Sequence, residues 1–132
     1  MDKNFEEWNI KKQQTHNEDK QVLFYEREVW WCVLGTNIGV EIDGKHELFL
    51  RPVVILRKFN RDMSLIIPAS SKAKLGKYHL TVSCGDGKKF YLRLSQLKAI
   101  SSKRLFSKMS TIDQSSYKLL LEKVLDMIKG IL

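Results

Sequence analysis

The chain has only two cysteines, two prolines and three histidines among its 132 residues, and each shortage excludes something. Cys32 and Cys84 have no C-x-x-C spacing and no secretory segment precedes them, so both are expected to be reduced thiols in a cytoplasmic protein. Cys32, set in an apolar strand, reads as a small core residue rather than a nucleophile. His16, His46 and His79 have no metal-ligand spacing, so no metal and no cofactor are expected. No window approaches 18 apolar residues, so no transmembrane span is expected.

What is present suits one domain. A chain of this length closes a core without staples, and a hydrophobic content of 43% argues against disorder. The net charge of +8 is unevenly placed. Residues 1–26 hold 4 Lys/Arg against 6 Asp/Glu, or −2, whereas residues 27–132 hold 19 against 9, or +10. The basic part favours an anionic partner, either nucleic acid or an acidic protein.

The run Arg51-Pro52-Val53-Val54-Ile55-Leu56 organises the rest. Its apolar, β-branched residues predict a buried strand, and Pro52, which cannot donate to a ladder, belongs at the strand's start with Arg51 at its rim. Residues 28–34 predict an earlier strand apolar on both faces, one face in the core and the other under the N-terminal arm or a subunit partner. Between them residues 35–49 form a loop long enough to suggest function. Met63–Ile67 predicts a further strand ended by Pro68, which sets Ser70 and Ser71 just past it. Alternation at 78–83 and 90–94 around Gly85-Asp86-Gly87-Lys88 predicts a hairpin.

At the C-terminus, Asp113 predicts an N-cap with Ile112 and Tyr117 as a hydrophobic staple. Tyr117, Leu120, Leu121, Val124, Leu125 and Ile128 then form a helical stripe for packing on a sheet. Residues 4–14 predict a short helix, marginal alone, that either docks or remains a mobile arm.

Four blocks occur in order: Arg27-Glu28-Val29-Trp30-Trp31-Cys32-Val33-Leu34-Gly35 continuing through Gly39, Glu41 and Gly44; the Arg51–Leu56 run; Pro68-Ala69-Ser70-Ser71; and Gln96-Leu97-Lys98 continuing to Arg104-Leu105. In register, they resemble the MazF/PemK family of toxins from toxin–antitoxin pairs, over roughly residues 27–129. The resemblance implies a mainly β fold with flanking helices, a small SH3-like antiparallel barrel of the MazF/PemK/CcdB kind. It divides the chain into an N-terminal helical arm and linker, 1–26, and a toxin domain, 27–132. It further implies a homodimer, a cognate acidic antitoxin, and metal-independent cleavage of single-stranded RNA to 2′,3′-cyclic phosphate and 5′-OH ends. The alternative is a non-catalytic module on the same barrel, one that binds RNA or DNA or poisons gyrase by protein contact.

The resemblance also implies the site. Arg51 matches the family's catalytic arginine, and its forked, permanently charged guanidinium suits two phosphate oxygens better than it suits general base catalysis. Ser70 stands where the family has threonine, keeping the hydroxyl but losing the β-methyl that restricts its rotamer. Ser71 supports it, and Lys98 replaces an arginine with a point charge suited to phosphate contact. Lys45, Lys72, Lys74, Lys77 and Arg93 are the candidate RNA-backbone cations, and Trp30, Tyr91 and Phe49 the candidate stacking platforms. His46 reads as a groove or solvated loop residue and not as a base.

Overall fold

The computed structural model describes residues 2–46 and 48–132. Within these the order is α1 (Phe5–Asn17), β1 (Glu28–Val33), β2 (Leu50–Lys58), β3 (Met63–Ser70), β4 (His79–Ser83), β5 (Lys89–Arg93), a 3-10 turn (Leu94–Gln96), β6 (Lys98–Ser101), a second 3-10 turn (Ser102–Arg104), β7 (Leu105–Thr111) and α2 (Gln114–Lys129).

Every strand pairing is antiparallel, and the hydrogen-bonded path runs β4-β5-β3-β2-β1-β7 with β6 attached to β3. The sheet is not closed, so the expected SH3-like barrel is not formed. The reason lies in β3 and at the ends of the path. One of its edges is taken by β2, from Val53 opposite Pro68 to Lys58 opposite Ser64. Its other edge is shared, with Met63–Ile66 bound to β6 and only Ala69 and Ser70 bound to β5. The two ladders on that edge are separate, and β4 and β7, the ends of the path, meet only at the isolated bridge Cys84–Ile112 beyond their ends.

Pro68 does not end its strand. β3 runs through it to Ser70, because proline keeps its carbonyl and loses only a donor, so Ser70 is the last strand residue rather than one beyond the strand. The sheet has apolar side chains on both sides. Val29, Val54, Ile67, Leu92, Ile112, Leu120 and Val124 form one cluster beneath α2, while Trp30, Cys32, Val53, Ile55, Ile66 and Leu105 form the other.

α2 covers the first cluster and is pinned by polar contacts as well. The Tyr117 hydroxyl donates to the Leu56 carbonyl at 2.8 Å, and the Ser83 amide donates to Ser116 Oγ at 3.1 Å. Asp113 sits at the N-cap without a side-chain capping bond, and Gly130 closes the helix at φ 75°, where a glycine carries no Cβ penalty. Only part of the expected stripe is covered: Leu120 and Val124 are buried and Leu121 half-buried, but Leu125 and Ile128 are 55% and 66% exposed.

α1 docks through one aromatic plug. Its buried residues are Trp8 and Thr15, and Trp8 lies against Val33 and Phe49, its ring 5.4 Å from that of Phe49. Gly35 makes this possible, since a Cβ there would sit 2.1 Å from the indole and φ is +79°. The far face of β1 at Val33 is therefore covered by the arm.

Candidate functional site

Arg51 is the second residue of β2, opposite Cys32 on β1, and is only 8% exposed. Two of the five N–H groups of this largely buried guanidinium donate to backbone oxygens, which fixes the fork and leaves the others for a ligand. Nε donates to the Asp43 carbonyl at 2.6 Å and Nη1 to the Ala69 carbonyl at 3.2 Å. The fork is therefore tied on one side to the long loop and on the other to the residue preceding Ser70. Loss of hydration, followed by the charge of Arg93, lowers the Arg51 pKa, and Asp43 partly opposes this.

Ser70, 6% exposed, accepts the Lys72 amide at 3.1 Å on its Oγ. That bond uses an acceptor lone pair and leaves the hydroxyl proton free to be donated. One cavity of about 210 Å³ is lined by Arg51, Ala69, Ser70 and Ser71 from β2 and the end of β3, by Trp31 from β1, and by Lys45 and His46 from the loop. It shares Trp31, Lys45, His46 and Leu50 with a wider depression of about 620 Å³ that runs on to Phe106 and Ser107. The two form one groove with a cationic inner end and an aromatic outer end.

The groove wall is built by a tight return in the loop. Lys45 and Leu50 pair, and their amides and carbonyls bond reciprocally at 2.7 and 3.1 Å. The tip carries His46 at φ 64° and Phe49 at φ 57°, left-handed conformations that cost free energy for residues with a Cβ. Phe49 is held there by Trp8, and by Leu34 and Gly35, whose amides donate to its carbonyl at 3.0 and 3.2 Å. Gly44 permits the approach, since a Cβ there would lie 1.6 Å from the Phe49 oxygen.

The rest of the loop is tied to Lys3, just ahead of α1, and to the first 3-10 turn. Asp43 Oδ1 accepts the Asn37 amide at 2.6 Å, and Lys3 reaches the same carboxylate at 3.1 Å. Gln96 accepts the Ile42 amide at 3.1 Å and donates to the Val40 carbonyl at 3.2 Å.

The structure thus brings Arg51, Ser70, Ser71 and Lys45 to one cavity. Arg93 is close enough to act electrostatically on Arg51. Lys72, Lys74 and Lys77 lie on the exposed segment after Ser70, with the Lys77 ammonium 5.1 Å from the Tyr78 ring centre. Lys98 is elsewhere, lining a separate depression with Asn37, Glu41 and Gln96. Partial loss of hydration, then Arg104, lowers its pKa.

Two of the expected stacking aromatics are not available. Trp30 is buried with its Nε1 donating to Glu28 at 3.1 Å, and Phe49 is beneath Trp8. Trp31, half-buried on the opposite face of β1, takes that position in the groove. Its signal in the sequence was the apolar alternation of β1, which marks two faces without saying which one meets solvent. Among the described residues no group of three His, Cys, Asp or Glu side chains gathers to hold a metal ion.

A family model described as a PemK-like, MazF-like toxin of type II toxin–antitoxin systems matches residues 25–128. Among solved structures the chain is similar to one described as an endoribonuclease in complex with its cognate antitoxin, from a mycobacterial species. The TM-score is 0.62 at 10% identity, over 83% of this chain and 98% of that one. At that identity the likeness is one of fold. No curated protein matches the chain.

Proposed function

Since the chain belongs to the PemK-like, MazF-like toxins of type II toxin–antitoxin systems, we propose that it is a metal-independent endoribonuclease acting on single-stranded RNA. The observation that carries this reading is the single cavity that holds the Arg51 fork, the Ser70 hydroxyl, Ser71 and Lys45 together. A nuclease of this kind needs fixed donors around one phosphate and little else. The protein whose fold this chain shares is described as an endoribonuclease, which supports the reading.

In the proposed reaction the ribose 2′-oxygen attacks the adjacent phosphorus in line and the bond from phosphorus to the 5′-oxygen breaks. The products are a 2′,3′-cyclic phosphate and a 5′-OH. Negative charge gathers on the non-bridging oxygens in the transition state, where the Arg51 N–H groups and the Ser70 O–H stabilise it. Their backbone anchors mean that little reorganisation is needed as charge develops. The proton released by the 2′-OH must be taken up, and the leaving 5′-oxygen must gain one. Water in this open groove takes up the first proton and supplies the second, and His46 lines the same cavity without being assigned the role of base. Lys45 and Arg93, with Lys72, Lys74 and Lys77 beyond Ser70, neutralise backbone phosphates, and Trp31 stacks a base at the outer end of the groove.

The reading extends to partners and boundaries. The toxin domain, residues 27–132, works as a cytoplasmic homodimer, and its +10 charge suits an acidic antitoxin segment that orders over the groove. Residues 1–26 are an added arm. The test is incubation of purified protein with long RNA in EDTA, followed by mapping of the ends. Cyclic phosphate and 5′-OH ends that vanish in Arg51→Ala, and persist or increase in Ser70→Thr, are expected. Intact RNA, with binding retained, would replace this reading with a non-catalytic binding module.

A further inference from the structure

α1 creates a second cationic pocket that the groove does not use. A cavity of about 170 Å³ lies between α1 and the second 3-10 turn, lined by Trp8, Lys12, Thr15, His16, Ser101, Lys103 and Arg104. Three permanent cations, one imidazole and two hydroxyls converge there, with no carboxylate in the lining. This is not a consequence of composition. Residues 1–26 carry six acidic residues against four basic ones, yet it is Lys12 and His16 that they turn into the cavity. The nearest acid in sequence, Glu18, is engaged with Lys20 at 3.9 Å.

The cations are also held in place. Arg104 donates from Nη1 to the Val33 carbonyl at 2.9 Å, and its guanidinium lies 5.8 Å from the Trp8 ring. Lys103 donates to the His16 carbonyl at 2.7 Å, at the C-terminal end of α1, where the helix dipole favours a cation. That contact accounts for Lys103 alone. Lys12, one turn back on the same helix face as His16, forms no hydrogen bond or ion pair among the described residues and still lines the cavity. Lys12 and Arg104 also line the adjoining depression that holds Glu41, but no acid lines this cavity itself, so an anion entering it meets Lys12, Lys103 and Arg104 together.

We propose that this pocket binds a backbone phosphate of the bound RNA, at a step outside the one that is cleaved. The inference rests on the nuclease reading above. The pocket lies near the groove, since Arg104 precedes Leu105, and Leu105 and Arg51 pair with Cys32 from its two sides. The phosphate would be held by Lys12, Lys103 and the free N–H groups of Arg104, with Ser101 as a neutral donor. Because the family match begins at residue 25, the pocket depends on a segment that lies outside it. The arm would thus lengthen the stretch of RNA the protein grips.

The experiment uses the whole chain and an oligonucleotide lacking 2′-hydroxyls, which cannot be cleaved, in a nitrogen–proton correlation titration. The Trp8 indole and the amides of Thr15, Ser101 and Lys103 are expected to shift. Lys12→Glu, an exposed change without a bond to lose, is expected to abolish those shifts and weaken binding several-fold at about 0.1 M salt. Lys103→Gln is expected to weaken it and to reduce the slope of log K against log salt by about 0.7, one phosphate contact on a single strand. Unchanged affinity and slope in both variants would overturn the proposal even if cleavage still required Arg51. The reverse case is also distinguishable. RNA left intact, while the oligonucleotide still moves the Trp8 indole in a Lys12-dependent way, would reject the nuclease and keep the phosphate site. Inorganic phosphate serves as a separate probe: if it moves these signals and the oligonucleotide does not, the pocket serves a free anion and the RNA assignment falls.

Discussion

Arg51 Nε donates to the backbone oxygen of Asp43 at 2.6 Å, eight residues earlier in the chain and on the other side of the loop's tight return. The position of the charge at the site is therefore set by the path of the loop as well as by β2.

Arg51→Lys should expose this dependence. One ammonium cannot span the Asp43 and Ala69 oxygens as a fork does, so the remaining charge is displaced and one buried acceptor is left open. Turnover is expected to fall roughly 10²- to 10³-fold, with a stability loss of about 1–3 kcal/mol. Single-turnover cleavage and urea unfolding on the same protein check both numbers. Turnover close to that of the native protein would mean that charge alone suffices.

The arm should stiffen the loop. Lys3 bonds to the Asp43 carboxylate at 3.1 Å and to the Gly39 carbonyl at 3.2 Å, while the Gly44 amide bonds to the Gly35 carbonyl at 2.8 Å. Lys3→Ala is expected to cost only about 1 kcal/mol, as partly exposed pairs do. Yet hydrogen exchange at the Asn37 and Gly44 amides should quicken selectively. Equal exchange in the two proteins would show that Gln96 holds the loop without the arm.

Gly35 and Trp8 should be strongly coupled. Trp8→Ala removes a buried plug and is expected to cost about 3–5 kcal/mol. Gly35→Ala should also be costly, because its methyl meets the indole and its φ of +79° is left-handed. In a Trp8→Ala background the clash disappears, leaving only the backbone cost of about 1–2 kcal/mol. A double-mutant cycle measures the difference, and simple additivity would place Trp8 elsewhere.

Burial pushes the Cys32 thiol up from 9.0 to about 12, against the opposing charges of Arg104 and Lys98. Above pH 9 the unfolded chain releases this proton while the folded chain keeps it. The contribution is therefore whole below pH 9 and is lost as pH rises from 9 towards 12. Cys32→Ala is expected to be less stable than the native protein at pH 8, with the gap narrowing by about 1 kcal/mol at pH 10. Unfolding midpoints across that range test it, and a constant gap would refute the shift. The native thiol should also resist alkylation until the chain unfolds.

The sequence by itself determined the family, the buried strand that carries Arg51, the hairpin at 78–94 and the C-terminal helix, because these depend on local rules. Periodicity of two or 3.6 and a glycine at a helix end act within a few residues, whereas the proline rule misplaced two strand ends, since β2 begins two residues before Pro52 and β3 runs two residues past Pro68. Tertiary structure decided the rest. That β3 divides one edge between β5 and β6, and that β4 and β7 do not close the sheet, is a matter of pairing between segments far apart in sequence. That Trp31 and not Trp30 meets the groove followed from which side of β1 the two clusters occupied, a choice that alternation leaves undetermined. Lys98 belongs to a block in register with Arg51 yet lines another depression, since β6 joins the far edge of β3. The acceptors that hold Arg51 are backbone oxygens. Every residue carries one, so no residue type in the sequence announces which will be used, and only the folded path of the chain brings the oxygens of Asp43 and Ala69 to the guanidinium.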